Sequence, residues 1–144
     1  MTSATQSVTF LLVRHGQARA EDASYTPETP LNDLGKKQAQ LAAEWILASF
    51  NPDAVYCSPY VRAIETAGPL CRALRLDPIA DPHLAEFEVD PEEALRTWRA
   101  DQQGAAGGET LWDFAVRVGN ACDRYSHQHL GDSVAVFAHG GTIN

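Results

Sequence analysis

The segment Val8-Thr9-Phe10-Leu11-Leu12-Val13 is a nearly unbroken apolar, β-prone run. A strand of that kind has no polar face to offer solvent. It belongs in a sheet covered on both faces, the arrangement of α/β proteins. Two further runs repeat the pattern: Ala54-Val55-Tyr56-Cys57, and Ser133 to Ala138. A short extended piece near Ile79 is a fourth candidate strand.

Segments of helical character alternate with these runs. Asn32 is placed to cap a helix to about Phe50, with Leu34, Leu41, Trp45 and Ala48 as its apolar stripe and Ala42 and Ile46 alongside. Asn51-Pro52-Asp53 ends it. Ser58 reads as the N-cap of a second helix, with Pro59 at its first position, running to about Leu74. Asp90-Pro91-Glu92-Glu93 opens another. Gly104 to Gly108 is a loop, and Thr110 caps a long helix bearing Leu111, Phe114, Ala115, Val118, Cys122 and Tyr125 at helical spacing. Gly131 suits its end. This alternation predicts a single domain over residues 1–144, a three-layer α/β/α architecture with a largely parallel central sheet.

Charge narrows the partners. The net charge of −8 makes the chain a poor binder of nucleic acid or anionic membrane. An anionic substrate would need a local cluster of cations. No apolar run approaches the ~20 residues of a membrane span. Met1 to Ser7 carries no Lys or Arg, so no secretory signal is expected. The three cysteines, Cys57, Cys71 and Cys122, lack close spacing and read as reduced thiols, pointing to a cytoplasmic location. No ligand pair at metal spacing stands out, and no cofactor is expected.

In parallel sheets ligands bind beyond the carboxyl ends of the strands. Three strand ends here carry reactive groups: Arg14-His15-Gly16, Ser58-Pro59 with Arg62, and His139-Gly140-Gly141. Arg14 and Arg62 can fork onto phosphoryl oxygens. The N-terminus of the helix after Ser58 favours an anion. These cations bias His15 towards neutral imidazole, able to attack phosphorus. His139 could stabilise charge as the phosphoryl group moves. Cys57 and Arg62 enclose four residues, one short of the Cys-x5-Arg loop of cysteine phosphatases, so Cys57 reads as a small core residue. His83, His127 and His129 read as surface residues.

These residues carry a resemblance. Arg14-His15-Gly16 after a first strand resembles the signature of the histidine phosphatase superfamily, also called phosphoglycerate mutase-like. Ser58 to Ala67, with Arg62 inside it, is similar to that family's second arginine motif. His139-Gly140-Gly141-Thr142 resembles its second histidine motif, and Gly107-Gly108-Glu109-Thr110 and Leu31 to Gly35 with Gln38-Ala39 resemble further landmarks. The resemblance implies a phosphoglycerate mutase-like fold with His15 as nucleophile and Arg14, Arg62 and His139 as the phosphate pocket. It also implies a general acid in a Leu-x-Glu segment, matched by Leu84-Ala85-Glu86. Glu88 competes for that role, and Glu109 is a candidate support of the pocket.

Departures from the mutase pattern favour a phosphatase acting on a small phosphorylated substrate. Ala18 and Glu21 stand where mutases carry hydroxyl and amide residues, no Gly-Trp element follows, and the stretch from Glu86 to His139 is short for a mutase lid. The expectation is a metal-independent phosphatase working through phosphohistidine on His15. A phosphoglycerate-type mutase and a catalytically silent phospho-ligand binding module are the alternatives. Family members continue beyond the last strand, so the chain is expected to be a form shortened at its C-terminus. The sequence leaves the oligomeric state and the physiological substrate open.

Overall fold

The computed structural model describes residues 7–18, 25–87 and 109–144. In chain order these form β1 (Thr9–Arg14), α1 (Asp33–Ser49), β2 (Ala54–Cys57), α2 (Val61–Leu74), β3 (Ile79–Ala80), a 3-10 turn (Pro82–Leu84), α3 (Leu111–Gln128), β4 (Ser133–Ala138) and α4 (Gly140–Ile143). The strands make one sheet in the order β1-β4-β2-β3, every neighbouring pair parallel. Val13 lies opposite Phe137, and Phe137 opposite Cys57. The carboxyl ends of β1, β4 and β2 therefore finish level, at one edge of the sheet.

Both faces are built by packing. Ala43 and Ile46 of α1 and Ala67, Leu70 and Cys71 of α2 close over Val55, Cys57, Ala135 and Phe137. On the other face Ala121 and Tyr125 of α3 meet Ala54, Tyr56, Val134 and Val136. The architecture is the three-layer α/β/α domain the alternation predicts.

Of the three runs expected to be covered on both faces, the second and third are buried and the first is not. From Val134 to Ala138, β4 is buried throughout, whereas β1 lies at the sheet edge with Leu12 51% exposed. Helix α3 stands over β2 and β4, and among the described residues nothing covers Leu12. An apolar run reports what a strand tolerates, not its rank in the sheet.

Helix α1 also turns a different face inward. Asn32 caps it as predicted, accepting from the Gly35 amide. Its buried residues, however, are Gly35, Ala39, Ala43 and Ile46, while Leu34, Leu41 and Trp45 are exposed. Small residues at spacing four let α1 sit close against α2. A stripe picked by side-chain size points the wrong way.

Helix α2 begins at Val61 with Tyr60 as N-cap and no side-chain cap. Ser58 is not the cap, and Pro59 precedes the helix. The Val61 amide donates to the Pro27 carbonyl, so it is not free to meet an anion. The Thr110 cap of α3 is as predicted, and Asp113 completes a capping box. Cys57, Cys71 and Cys122 are all free thiols. Among the described residues no helix is long and apolar enough to cross a membrane. Glu21, Glu88, the helix predicted from Asp90 and the loop Gly104 to Gly108 lie outside the described residues.

Candidate active site

His15 follows directly on β1, its amide donating to the Ala138 carbonyl at the end of β4. Its ring Nδ1 lies 2.7 Å from the Gly16 carbonyl oxygen. A carbonyl only accepts, so Nδ1 carries the proton and Nε2 keeps its lone pair. Arg62 Nε donates to Nε2 at 3.3 Å. Burial lowers the His15 pKa, and the Arg62 and Arg14 charges add to this; the Gly16 bond and Glu86 oppose them without reversing the direction.

The loop holding His15 is clamped from both sides. The Gly16 amide donates to Thr66 Oγ1 at 3.0 Å, and the Thr66 hydroxyl donates to the Arg62 carbonyl at 2.6 Å. On the α1 side a Cβ on Gly16 would fall 2.6 Å from the Gly35 carbonyl oxygen, and one on Gly35 would fall 2.0 Å from that of Gln17. Two backbones touch here, and only glycine allows it.

Arg62 is 4% exposed. Its Nη1 donates to the Thr26 carbonyl at 2.9 Å, and its guanidinium lies 5.3 and 5.0 Å from the ring centroids of Tyr25 and Tyr60. Arg14 stands over Gly140, where a Cβ would fall 3.7 Å from its guanidinium carbon. His139 is fully buried, its ring centroid 5.2 Å from that of His15. Here Ser58 finds its place: its Oγ accepts from the Tyr60 amide and lies 2.7 Å from His139 Nε2. Ser58 thus has a hydroxyl hydrogen to give Nε2, which favours the proton on Nδ1. That Nδ1 is buried without a hydrogen-bond partner among the described residues. A buried donor left unpaired costs about 1–3 kcal/mol, which a bound phosphoryl oxygen would relieve.

Burial, with Arg62, His15, Arg117 and Arg14 adding to it, pushes the His139 pKa down to about 3. The folded state therefore binds fewer protons than the unfolded one between about pH 3 and the ordinary histidine value. Stability is full above that value and falls as pH is lowered through the window. Between pH 7 and pH 5 the loss from His139 is about 2 kcal/mol at most. Melting temperatures across that range test this, and an unchanged or rising value at pH 5 contradicts it.

Glu86 follows the 3-10 turn and reaches the same edge. Its Oε1 accepts from the Phe87 amide at 3.0 Å and its Oε2 from the Gly141 amide at 3.4 Å. Its charge acts on both His15 and Arg62. Two anchors hold the segment that carries it. Asp81 accepts from Arg124, Tyr125 and His83. Burial alone would raise the Asp81 pKa, but these donors hold it below the usual carboxylate value. The second anchor is Arg117, which pairs with Glu109 and donates to the carbonyls of His83 and Ala85. Glu109 thus reaches the site through Arg117.

All five expected residues, Arg14, His15, Arg62, Glu86 and His139, gather at the carboxyl edge of the sheet. Sequence reasoning missed Thr66, the true partner of Ser58, and Arg117. Thr66 lies one turn after Arg62, and Arg117 interrupts the buried side of α3; a charge there demands a partner. Of the other histidines, His127 is exposed, His83 pairs with Asp81, and His129, not a plain surface residue, bonds the Tyr56 hydroxyl. Among the described residues no group of three or more His, Cys, Asp or Glu could hold a metal ion. A cavity of about 530 Å³ opens from Arg14 and His15 towards α1, bordered by Gln17, Tyr25 and Gln38.

Two histidines and a buried arginine gather at the carboxyl edge of the parallel sheet of an α/β domain. The profile of the Histidine phosphatase superfamily (branch 1) matches residues 10–144, and the chain belongs to that superfamily. It is 32% identical over 147 residues to a bifunctional protein of Mycobacterium tuberculosis, covering 90% of this chain and 40% of that one. It is 28% identical to a metal-independent phosphoserine phosphatase of Arabidopsis thaliana, covering 93% of this chain and 65% of the relative. A solved mycobacterial glucosyl-3-phosphoglycerate phosphatase in complex with VO3 superposes with a TM-score of 0.71 at 27% identity, over 92% of this chain and 76% of its own. The fold is thus phosphoglycerate mutase-like, and the chain spans less than half the length of that Mycobacterium tuberculosis bifunctional protein.

Proposed function

We propose that this protein is a phosphatase that hydrolyses phosphomonoesters without a metal ion, through a phosphohistidine on His15. The observation that carries the reading is the state of His15. Its proton sits on Nδ1 against the Gly16 carbonyl, and its Nε2 keeps the lone pair, which accepts the Arg62 Nε–H until that bond opens for phosphorus. The Nε2 lone pair attacks phosphorus and the ester P–O bond breaks. Glu86, having taken up a proton as the phosphomonoester binds, passes it to the leaving oxygen, which departs as an alcohol. Water then attacks the phosphohistidine while the Glu86 carboxylate takes its proton, releasing inorganic phosphate and neutral His15. Arg14, Arg62 and the Nδ1–H of His139 hold the phosphoryl oxygens throughout.

Relatives described as a metal-independent phosphoserine phosphatase and a glucosyl-3-phosphoglycerate phosphatase support a small phosphorylated substrate. Hydrolysis of p-nitrophenyl phosphate with and without EDTA tests the proposal. The expected result is turnover at an unchanged rate. Loss of activity in EDTA, restored by a divalent ion, would sink metal independence. Phosphate binding without turnover would identify a silent binding module, and phosphoryl transfer to a second substrate in place of water would identify a mutase.

A further inference from the structure

We infer that Arg117 is a positioning residue that sets where the Glu86 carboxyl stands against His15, an inference that rests on Glu86 being the general acid. Glu86 lies just past the 3-10 turn, in a segment without regular structure. Nothing in a strand or helix ladder fixes its backbone. Arg117 does so from α3. Its Nη1 donates to the carbonyls of His83 at 2.7 Å and Ala85 at 2.8 Å, and its Nη2 reaches that of Glu86 at 3.4 Å. The same fork is held by Glu109, through Nε to Oε1 and through Nη2 to Oε2 at 2.9 Å. Its guanidinium lies 4.6 Å from the Phe114 ring centroid, and that ring packs against Phe87 at 5.3 Å. One planar group thus gathers three carbonyls around Glu86 and is itself locked by a carboxylate and a ring.

A lysine keeps the charge but offers a point donor in place of a fork, so it cannot serve Glu109 and the carbonyls together. The acid would then drift, and a displacement of about 1 Å can cost on the order of 10² in rate. The loss should appear only where the leaving group needs a proton. β-Glycerophosphate releases an alkoxide and needs one; p-nitrophenyl phosphate releases a stable phenolate and does not.

The experiment measures kcat/KM for both substrates in wild type, Glu86→Gln, Arg117→Lys, Glu109→Gln and the double variant Glu86→Gln with Arg117→Lys. Glu86→Gln should lose roughly 10²–10⁴-fold on β-glycerophosphate and much less on p-nitrophenyl phosphate. Arg117→Lys should show the same selectivity at about 10- to 100-fold, with Glu109→Gln weaker in the same direction. The double variant should be no slower than Glu86→Gln alone, because an acid already removed cannot be misplaced. Inhibition by inorganic phosphate should stay unchanged in both single clamp variants. Equal losses on the two substrates, or additive losses in the double variant, would overturn the inference by showing general damage to the fold. Should Arg117→Lys melt below assay temperature, Glu109→Gln carries the same comparison. If Glu86→Gln itself shows no selectivity, the general-acid reading fails first, and the inference with it.

Discussion

His15→Ala should abolish turnover, a loss on the order of 10⁶ as when other covalent nucleophiles are removed. Wild-type enzyme denatured in alkali during turnover of a labelled phosphomonoester should carry a base-stable, acid-labile phosphoryl group, and His15→Ala should carry none. The carbonyl of Gly16 fixes the tautomer, burial and two arginines disfavour the imidazolium, and the Thr66 hydroxyl holds the amide of the same glycine. Few other nucleophiles stand near. Cys57 is buried and its thiol is pushed up to about 11 by that burial and by Cys71, so almost none of it is thiolate at neutral pH. Ser58 has committed its hydroxyl to His139. Recovery of the label on cysteine or serine would refute the assignment.

How much of this was legible in the sequence depends on what the sequence codes locally. The strands, their order of reactive ends and the caps at Asn32 and Thr110 are local facts, and they were readable. Three parallel strands bring their carboxyl ends together whatever their rank in the sheet, so His15, Arg62 and His139 could be placed at one edge before β1 was known to be an outer strand. Rank itself depends on which strands pair, and no residue of β1 encodes that. The inward face of α1 was misread because Gly35, Ala39 and Ala43 are chosen for closeness to α2, a property of the pair of helices. Ser58 was misread for a related reason. A serine before a helix is usually its cap, but this one accepts from the Tyr60 amide ahead of the helix and turns its hydroxyl to a histidine distant in sequence. Arg117 had the faintest signal, one charge within an apolar face, and its meaning lies entirely in backbone carbonyls more than thirty residues earlier.

Arg62 is the residue whose loss should cost most after His15 on p-nitrophenyl phosphate, whose leaving group makes little demand on the general acid. Its fork is fixed on one side by the Thr26 carbonyl and between the rings of Tyr25 and Tyr60, and it still reaches His15 Nε2. In the proposed reaction its Nε has to release His15 Nε2, while the Thr26 carbonyl and the two rings keep the guanidinium in place, so reorganisation is confined to that one bond. Arg62→Lys retains the charge and loses the planar fork, and should lower kcat/KM for p-nitrophenyl phosphate by about 10²–10³, the usual worth of one preorganised donor to a developing anion. Arg62→Met removes the charge as well, and here a second effect separates electrostatics from geometry. The Arg62 charge is one of the causes that lower the His15 pKa, though smaller than burial. Without it the imidazolium is easier to form, so the acid limb of the kcat/KM profile should move to higher pH in Arg62→Met and stay close to wild type in Arg62→Lys. A loss below about tenfold in both variants would show that Arg62 holds no transferring phosphoryl group. An acid limb that stays put in Arg62→Met would show that burial alone keeps His15 neutral, and that the arginine beside it serves binding only.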